Sequence, residues 1–206
     1  TAVGMNAMKL SISAMQCTAV GGGALGAAAT QGDDNVAIGF HSLEDATTGH
    51  SNTAVGTNSA ASLTEGHSNT AIGFDALGVD TDGNYNVALG YKALKNITGS
   101  DKNIAIGYRA MSDMDDTADA LSGNVAIGYH AFKGSDANTT VDANGTVAIG
   151  LSALSLLTIG VGNTALGKHA LQSTTGGDYN TALGYQALDG TTKSNSNRNV
   201  AVGYNA

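Results

Sequence analysis

Asn86-Val87-Ala88-Leu89-Gly90-Tyr91 is followed, seventeen residues on, by Asn103-Ile104-Ala105-Ile106-Gly107-Tyr108. Seventeen residues before it stands Asn69-Thr70-Ala71-Ile72-Gly73-Phe74. Followed outward in both directions, the core of this phrase occurs twelve times in the 206 residues. Its closing glycines are Gly4, Gly21, Gly39, Gly56, Gly73, Gly90, Gly107, Gly128, Gly150, Gly167, Gly184 and Gly203. The gaps between them are 17, 18, 17, 17, 17, 17, 21, 22, 17, 17 and 19. A short fixed period marks a chain that winds one coil per repeat, without a single globular core.

Numbered from the repeat glycine as zero, position -2 is Ala in all twelve copies and position -1 is Val, Ile or Leu. Position -3 is Thr, Val or Ile. Alternation with period two and β-branched residues predict a strand. Beyond the glycine, +1 is often Tyr or Phe, +3 is Ala or Ser, and +4 is usually large (Leu43, Leu77, Leu94, Met111, Phe132, Leu154). This segment is expected to form a second short strand or a bend that closes over the first. Turn residues follow, with Thr at +8 and often Gly at +10. A helix is disfavoured, because about six residues between glycine-rich turns do not sustain one and β-branched neighbours oppose it.

Asn at -4 opens the strand in most copies, and Asn35, Asn52, Asn69, Asn86 and Asn103 form an unbroken run. Coils stacked at about 4.8 Å would bring these amides into register as a hydrogen-bonded ladder, and twelve coils would span roughly 55–60 Å. With -3, -1 and +4 assigned to the interior, Ala and Gly at -2 and 0 would face outward. The expected subunit interface is then Ala37, Gly39, Ala71, Gly73, Ala88, Gly90, Ala105 and Gly107. Such a smooth strip favours self-association of copies along their lengths.

Composition agrees with a thin, closely packed structure. The chain has 29 Gly, no Pro, no Trp and only 5% aromatic residues, against 42% hydrophobic and 13% charged. It is too apolar for disorder. Its formal net charge of -8 and the absence of a basic run argue against nucleic acid. Cys17 is alone, so neither an internal disulfide nor a multi-cysteine metal site can form. No stretch approaches the roughly 18 apolar residues of a membrane-spanning helix. The chain opens and closes inside repeats without polar caps, as expected of a window from a longer protein.

The runs Asn35–Phe40, Asn69–Phe74, Asn86–Tyr91, Asn103–Tyr108 and Asn124–Tyr129 resemble the head repeats of YadA-like trimeric autotransporter adhesins. Similar repeats occur in bacteriophage tail-fibre proteins. The resemblance covers nearly the whole chain and is weakest over 5–34. It implies a left-handed parallel β-roll and a homotrimer that binds surfaces. It also implies an extracellular place, on a bacterial surface or a virion fibre. Adhesin heads commonly use shorter repeats, near fourteen residues, whereas 17 dominates here. The added residues fall in the turn, so the outer face should be bulkier.

Two repeats carry expanded loops, 112–123 and 133–145. Insertions in solenoids are displaced to one face, often the binding face. Asp113, Asp115, Asp116 and Asp119 in the first, with Asp136, Asn138, Asp142 and Asn144 in the second, are the candidate receptor contacts. They match no EF-hand or glycine-rich calcium repeat, so solvated acidic loops are expected in place of a metal site.

Gly21-Gly22-Gly23-Ala24-Leu25-Gly26 matches GxGxxG in letters but lacks the strand–turn–helix setting and downstream acid of a dinucleotide site. His50 and His67 share position +11, which should place them in neighbouring coils as exposed turn residues. His41, His130 and His169 share +2. Left-handed β-helix acyltransferases also use a His, but they wind on hexapeptides in 18-residue coils and differ in register. An ice-binding solenoid would need two parallel exposed Thr rows, and only the +8 column is available.

The sequence therefore predicts an all-β parallel β-solenoid over 1–206, about 17 residues per coil, forming a homotrimer. The expected function is a structural and adhesive fibre segment that projects and binds a cell or host surface through a glycan or protein receptor. Acyltransferase and ice-binding readings are the alternatives. No catalytic residue, cofactor or metal ligand is assigned, and no nucleic-acid or membrane partner.

Overall fold

A computed structural model describes residues 1–9, 15–26, 31–114, 121–134, 142–190 and 196–206. Among them lie twelve short strands, from β1 (Ala2–Val3) to β12 (Val200–Val202), one per repeat. They form one parallel sheet in which each strand pairs only with its neighbours in sequence. The register aligns like with like: in β6 (Val87–Leu89) and β7 (Ile104–Ile106), Val87 faces Ile104, Ala88 faces Ala105 and Leu89 faces Ile106. The protein is a β-solenoid of about 17 residues per turn.

The expanded repeats do not disturb this alignment. β7 pairs with β8 (Val125–Ile127) and β8 with β9 (Val147–Ile149) in the same Ala-on-Ala register across gaps of 21 and 22 residues.

Which strand residues face inward is the reverse of the sequence expectation. Ala19, Ala37, Ala54, Ala88, Ala105, Ala126, Ala148, Ala165 and Ala182 are fully buried. The -1 residues Ile38, Ile72, Leu89, Leu166 and Leu183 are instead 36–42% exposed. The cause is the thinness of the coil. The strand alanines meet a layer already filled by Ala at +3 and by Leu43, Leu77, Leu94, Met111, Phe132 and Leu154 at +4, all fully buried. Only a methyl group fits beneath the strand, so the branched residues turn outward. The expected outward strip is therefore absent at Ala37, Ala71, Ala88 and Ala105, and Gly39, Gly73, Gly90 and Gly107 lie against backbone.

That glycine column is set by close approach. Gly107 has φ 131°, and a Cβ there would sit 2.6 Å from the carbonyl oxygen of Gly128 in the next coil. Any side chain would force the coils apart.

Between the glycine and +5 the chain makes turns, not a second strand. Positions +2 and +4 take the left-handed region, as at His41 (φ 55°) and Leu43 (φ 47°), Lys92 (φ 55°) and Leu94 (φ 52°). Each such residue costs about 1–2 kcal/mol. The alternation aims backbone groups along the solenoid axis in both directions: His41 N–H donates to Gly22 O at 2.9 Å, and Leu43 N–H to Ser59 O at 3.0 Å. Buried amides thereby find partners in adjacent coils, which offsets the strain.

Candidate functional site

The Asn residues at -4 hold the inner edge of nine of the twelve strands. Asn35, Asn52, Asn86 and Asn103 are at most 1% exposed, and Asn69 is nearly as buried. Each side-chain oxygen accepts the backbone N–H of the Asn in the next coil: Asn52 N to Asn35 Oδ1, 2.9 Å; Asn86 N to Asn69 Oδ1, 2.8 Å; Asn103 N to Asn86 Oδ1, 2.9 Å. The amide nitrogens donate to turn carbonyls, as Asn52 Nδ2 does to Gly66 O at 2.8 Å. Cys17 occupies the same column, and its sulfur accepts from Asn35 N at 3.4 Å. Buried and hydrogen-bonded, this thiol belongs to the scaffold.

The outward side of the sheet carries the most conspicuous chemistry. Val20, Ile38, Ile72, Leu89, Leu166 and Leu183 form one row of exposed aliphatic residues, with half-buried Thr, Val and Ile at -3 beside it. Two residues past the strand, Phe74, Tyr91, Tyr108 and Tyr129 stack with ring centroids 5.5, 5.0 and 5.1 Å apart and planes within 12°. Tyr185 and Tyr204 continue in the same way at 5.2 Å. These rings are 36–75% exposed. Exposed apolar strips of this length are the kind of surface through which proteins make contacts.

The signal for this orientation was present in the sequence. Position -2 admits nothing but Ala, as a space-limited interior requires, whereas -1 and -3 accept Val, Ile, Leu or Thr. Freedom of size belongs to the outside.

The proposed receptor loops are only partly described. Asp115, Asp116, Asp119, Asp136 and Asn138 lie outside the described residues. Asp113 is held by Arg109 at 2.9 Å and Lys133 at 3.0 Å. Burial pushes its carboxyl up, but the hydrogen bonds and charges of Lys133 and Arg109 outweigh that and hold it below the usual carboxylate range. It is a tether between coils. Asp142 N–H donates to Thr158 O at 3.1 Å, and Asn144 Oδ1 accepts from Ser122 N at 2.6 Å. Both tie the loop base to adjacent coils.

His50 and His67 stack face to face at 4.8 Å, with Tyr85 edge-on to His67. Parallel rings do not converge their nitrogens on one ion. Among the described residues no three His, Cys, Asp or Glu side chains form a metal-binding group. The GxGxxG stretch follows β2 (Thr18–Val20) into turns, and among the described residues no helix follows it to receive a pyrophosphate.

Asp80 had no counterpart in the sequence reading. It is fully buried in the +7 column, between Leu63 and Ile97 of the flanking coils. Its Oδ1 accepts from Gly83 N at 3.1 Å and Gly99 N at 3.0 Å, while Oδ2 has no partner. Burial raises its pKa to about 6, against the lowering effect of those two hydrogen bonds.

No protein-family model, curated protein or solved structure matches this chain.

Proposed function

We propose that this chain is a structural and adhesive fibre segment. Copies pack side by side through the exposed aliphatic row into a trimer that projects and binds a cell or host surface. The observation that carries the reading is the row of -1 side chains running from β2 to β11 (Thr181–Leu183) on the outer face of one continuous sheet. Water contact along such a strip is unfavourable, and a like strip on a second and third copy removes it at about 25 cal/mol per Å² of apolar surface. Self-association uses the same surface on each chain, as closed symmetric assemblies do.

The resemblance of the repeats to trimeric adhesin heads supports three copies, a left-handed roll and a place outside the cell, on a bacterium or a virion. The interface, however, consists of Leu, Ile and Val at -1, with the alanines inside. Adhesion through repeated weak contacts then gains from several chains held in parallel, because linked sites bind with avidity.

Native mass spectrometry is expected to show three chains. The double substitution Leu89→Asp and Ile106→Asp is expected to yield monomers that keep their β circular dichroism. A wild-type monomer at micromolar concentration overturns the assembly.

A further inference from the structure

Position +1 carries a ring in seven of the twelve coils, and of the five that lack one Gly22 alone has no side chain there. In the coil before it, positions +1, +2 and +5 are Met5, Asn6 and Lys9; in the coil after it they are Phe40, His41 and Glu44. The middle coil supplies glycine at all three, leaving a cleft of about 230 Å³ one coil thick. This is below the roughly 300 Å³ where pockets for drug-sized ligands begin. The walls stand two coil spacings apart, about 9.6 Å at 4.8 Å per coil, so one flat ring fits between them.

The chemistry of the walls selects the ring. A Cβ on Gly22 would lie 3.3 Å from Phe40 Cδ2, so the Phe40 ring overhangs backbone where Tyr91 and Tyr108 have another ring. The ring is 55% exposed and lines the cleft. An aromatic face carries partial negative charge and attracts the C–H face of a sugar. Polar groups surround it: His41 Nδ1 hydrogen-bonds the Glu44 carboxylate, and His41 Nε2 borders the cleft, 3.4 Å from where a Gly23 side chain would begin. Lys9 and Glu44 bring opposite charges from facing coils, so neither sign of ion is favoured. An ammonium, an amide and a carboxylate around one apolar platform suit a neutral polyol.

We propose that the cleft over Gly22, Gly23 and Gly26 binds a single pyranose residue, its apolar face on Phe40 and its hydroxyls on Asn6, Lys9 and Glu44. The site lies within one chain and does not depend on the trimer. The sugar takes the place that a tyrosine ring holds in coils farther along.

The test is a ¹H–¹⁵N NMR titration of the whole chain with methyl β-D-galactopyranoside, methyl β-D-glucopyranoside and methyl α-D-mannopyranoside. At least one is expected to shift the amides of Gly22, Gly23 and Gly26. Gly22→Tyr supplies the missing ring and is expected to weaken binding at least tenfold. Leu151→Tyr, which fills a different gap in the ladder, leaves it unchanged, and neither variant alters the number of chains in the assembly. Lys9→Ala, on an exposed side chain, is expected to weaken binding severalfold and decides the matter if Gly22→Tyr does not fold. The proposal is overturned if none of the three glycosides shifts these amides. It is equally overturned if free L-tyrosine does so and the glycosides do not, or if the folded variants bind like wild type.

Discussion

Two stretches of the same solenoid differ in how many of their columns are complete. Over 69–108 the asparagines pass hydrogen bonds from coil to coil without a break, and Phe74, Tyr91 and Tyr108 stack beside them. Over 124–168 both columns are interrupted. Thr146 stands where an Asn is expected, its hydroxyl buried without a partner, and Leu151 and Lys168 replace rings. Yet β9 pairs with β8 and with β10 (Thr164–Leu166) in the same register, alanine on alanine. Strand pairing and the inner alanine column therefore define the coil, and the Asn and aromatic columns reinforce it.

The strongest way to break this equivalence is to enlarge the column that never varies. Ala88→Phe in the complete stretch and Ala148→Phe in the interrupted one should both destabilise by more than about 3 kcal/mol, since neither fully buried site has room for a ring. Urea denaturation followed by circular dichroism measures this. If Ala148→Phe is tolerated, the interrupted stretch is loosely packed and the two are not equivalent.

A smaller effect is expected at Asp80, which gives the complete stretch a defect of its own. The folded carboxyl titrates at about 6 against 3.8 for an unperturbed one, so the folded state binds the proton more tightly. Stability contributed by the protonated form is present below pH 3.8 and is lost as pH rises towards 6. The shift corresponds to a loss of about 3 kcal/mol. Asp80→Asn keeps the Oδ1 acceptor for Gly83 and Gly99 but carries no charge. It should therefore match wild type near pH 4 and exceed it by up to about 3 kcal/mol above pH 6. Parallel pH profiles of wild type and variant would remove Asp80 as the source.

The mildest change repairs the interrupted stretch. Thr146 N already donates to Asn124 Oδ1 at 2.9 Å, but no amide passes the ladder on to Asn163. Thr146→Asn should add about 1 kcal/mol, read as a higher denaturation midpoint. A loss of stability would mean that the Thr is there for packing.

The period, the strand at -3 to -1 and the stacking of like on like were legible in the sequence, because each is a repeat and repetition survives without side-chain detail. Orientation was legible only in the invariance of Ala at -2, and it was misread: alternation alone does not say which face is inner, and the usual weight given to branched residues as core favoured the wrong one. The thickness of the coil decides it, through Leu43, Leu77 and Leu94 approaching from the opposite wall. Asp80 was also illegible, because a single acid among turn residues reads as solvated. Its burial depends on sharing a column with Leu63 and Ile97, 17 residues to either side. The cleft at Gly22 was visible only as a glycine-rich string, since its walls come from two other coils.

The alignment of Gly73 over Gly90 has a genetic counterpart. Excising residues 70–86 would join Asn69 to Val87 and leave every remaining junction of a kind the molecule already contains. Recombination between repeats can thus shorten or lengthen the protein by whole units, while a frame-preserving loss of one or two codons inside a strand removes the alanine or glycine contacts of that coil. Length becomes a quantity that evolution adjusts in fixed steps.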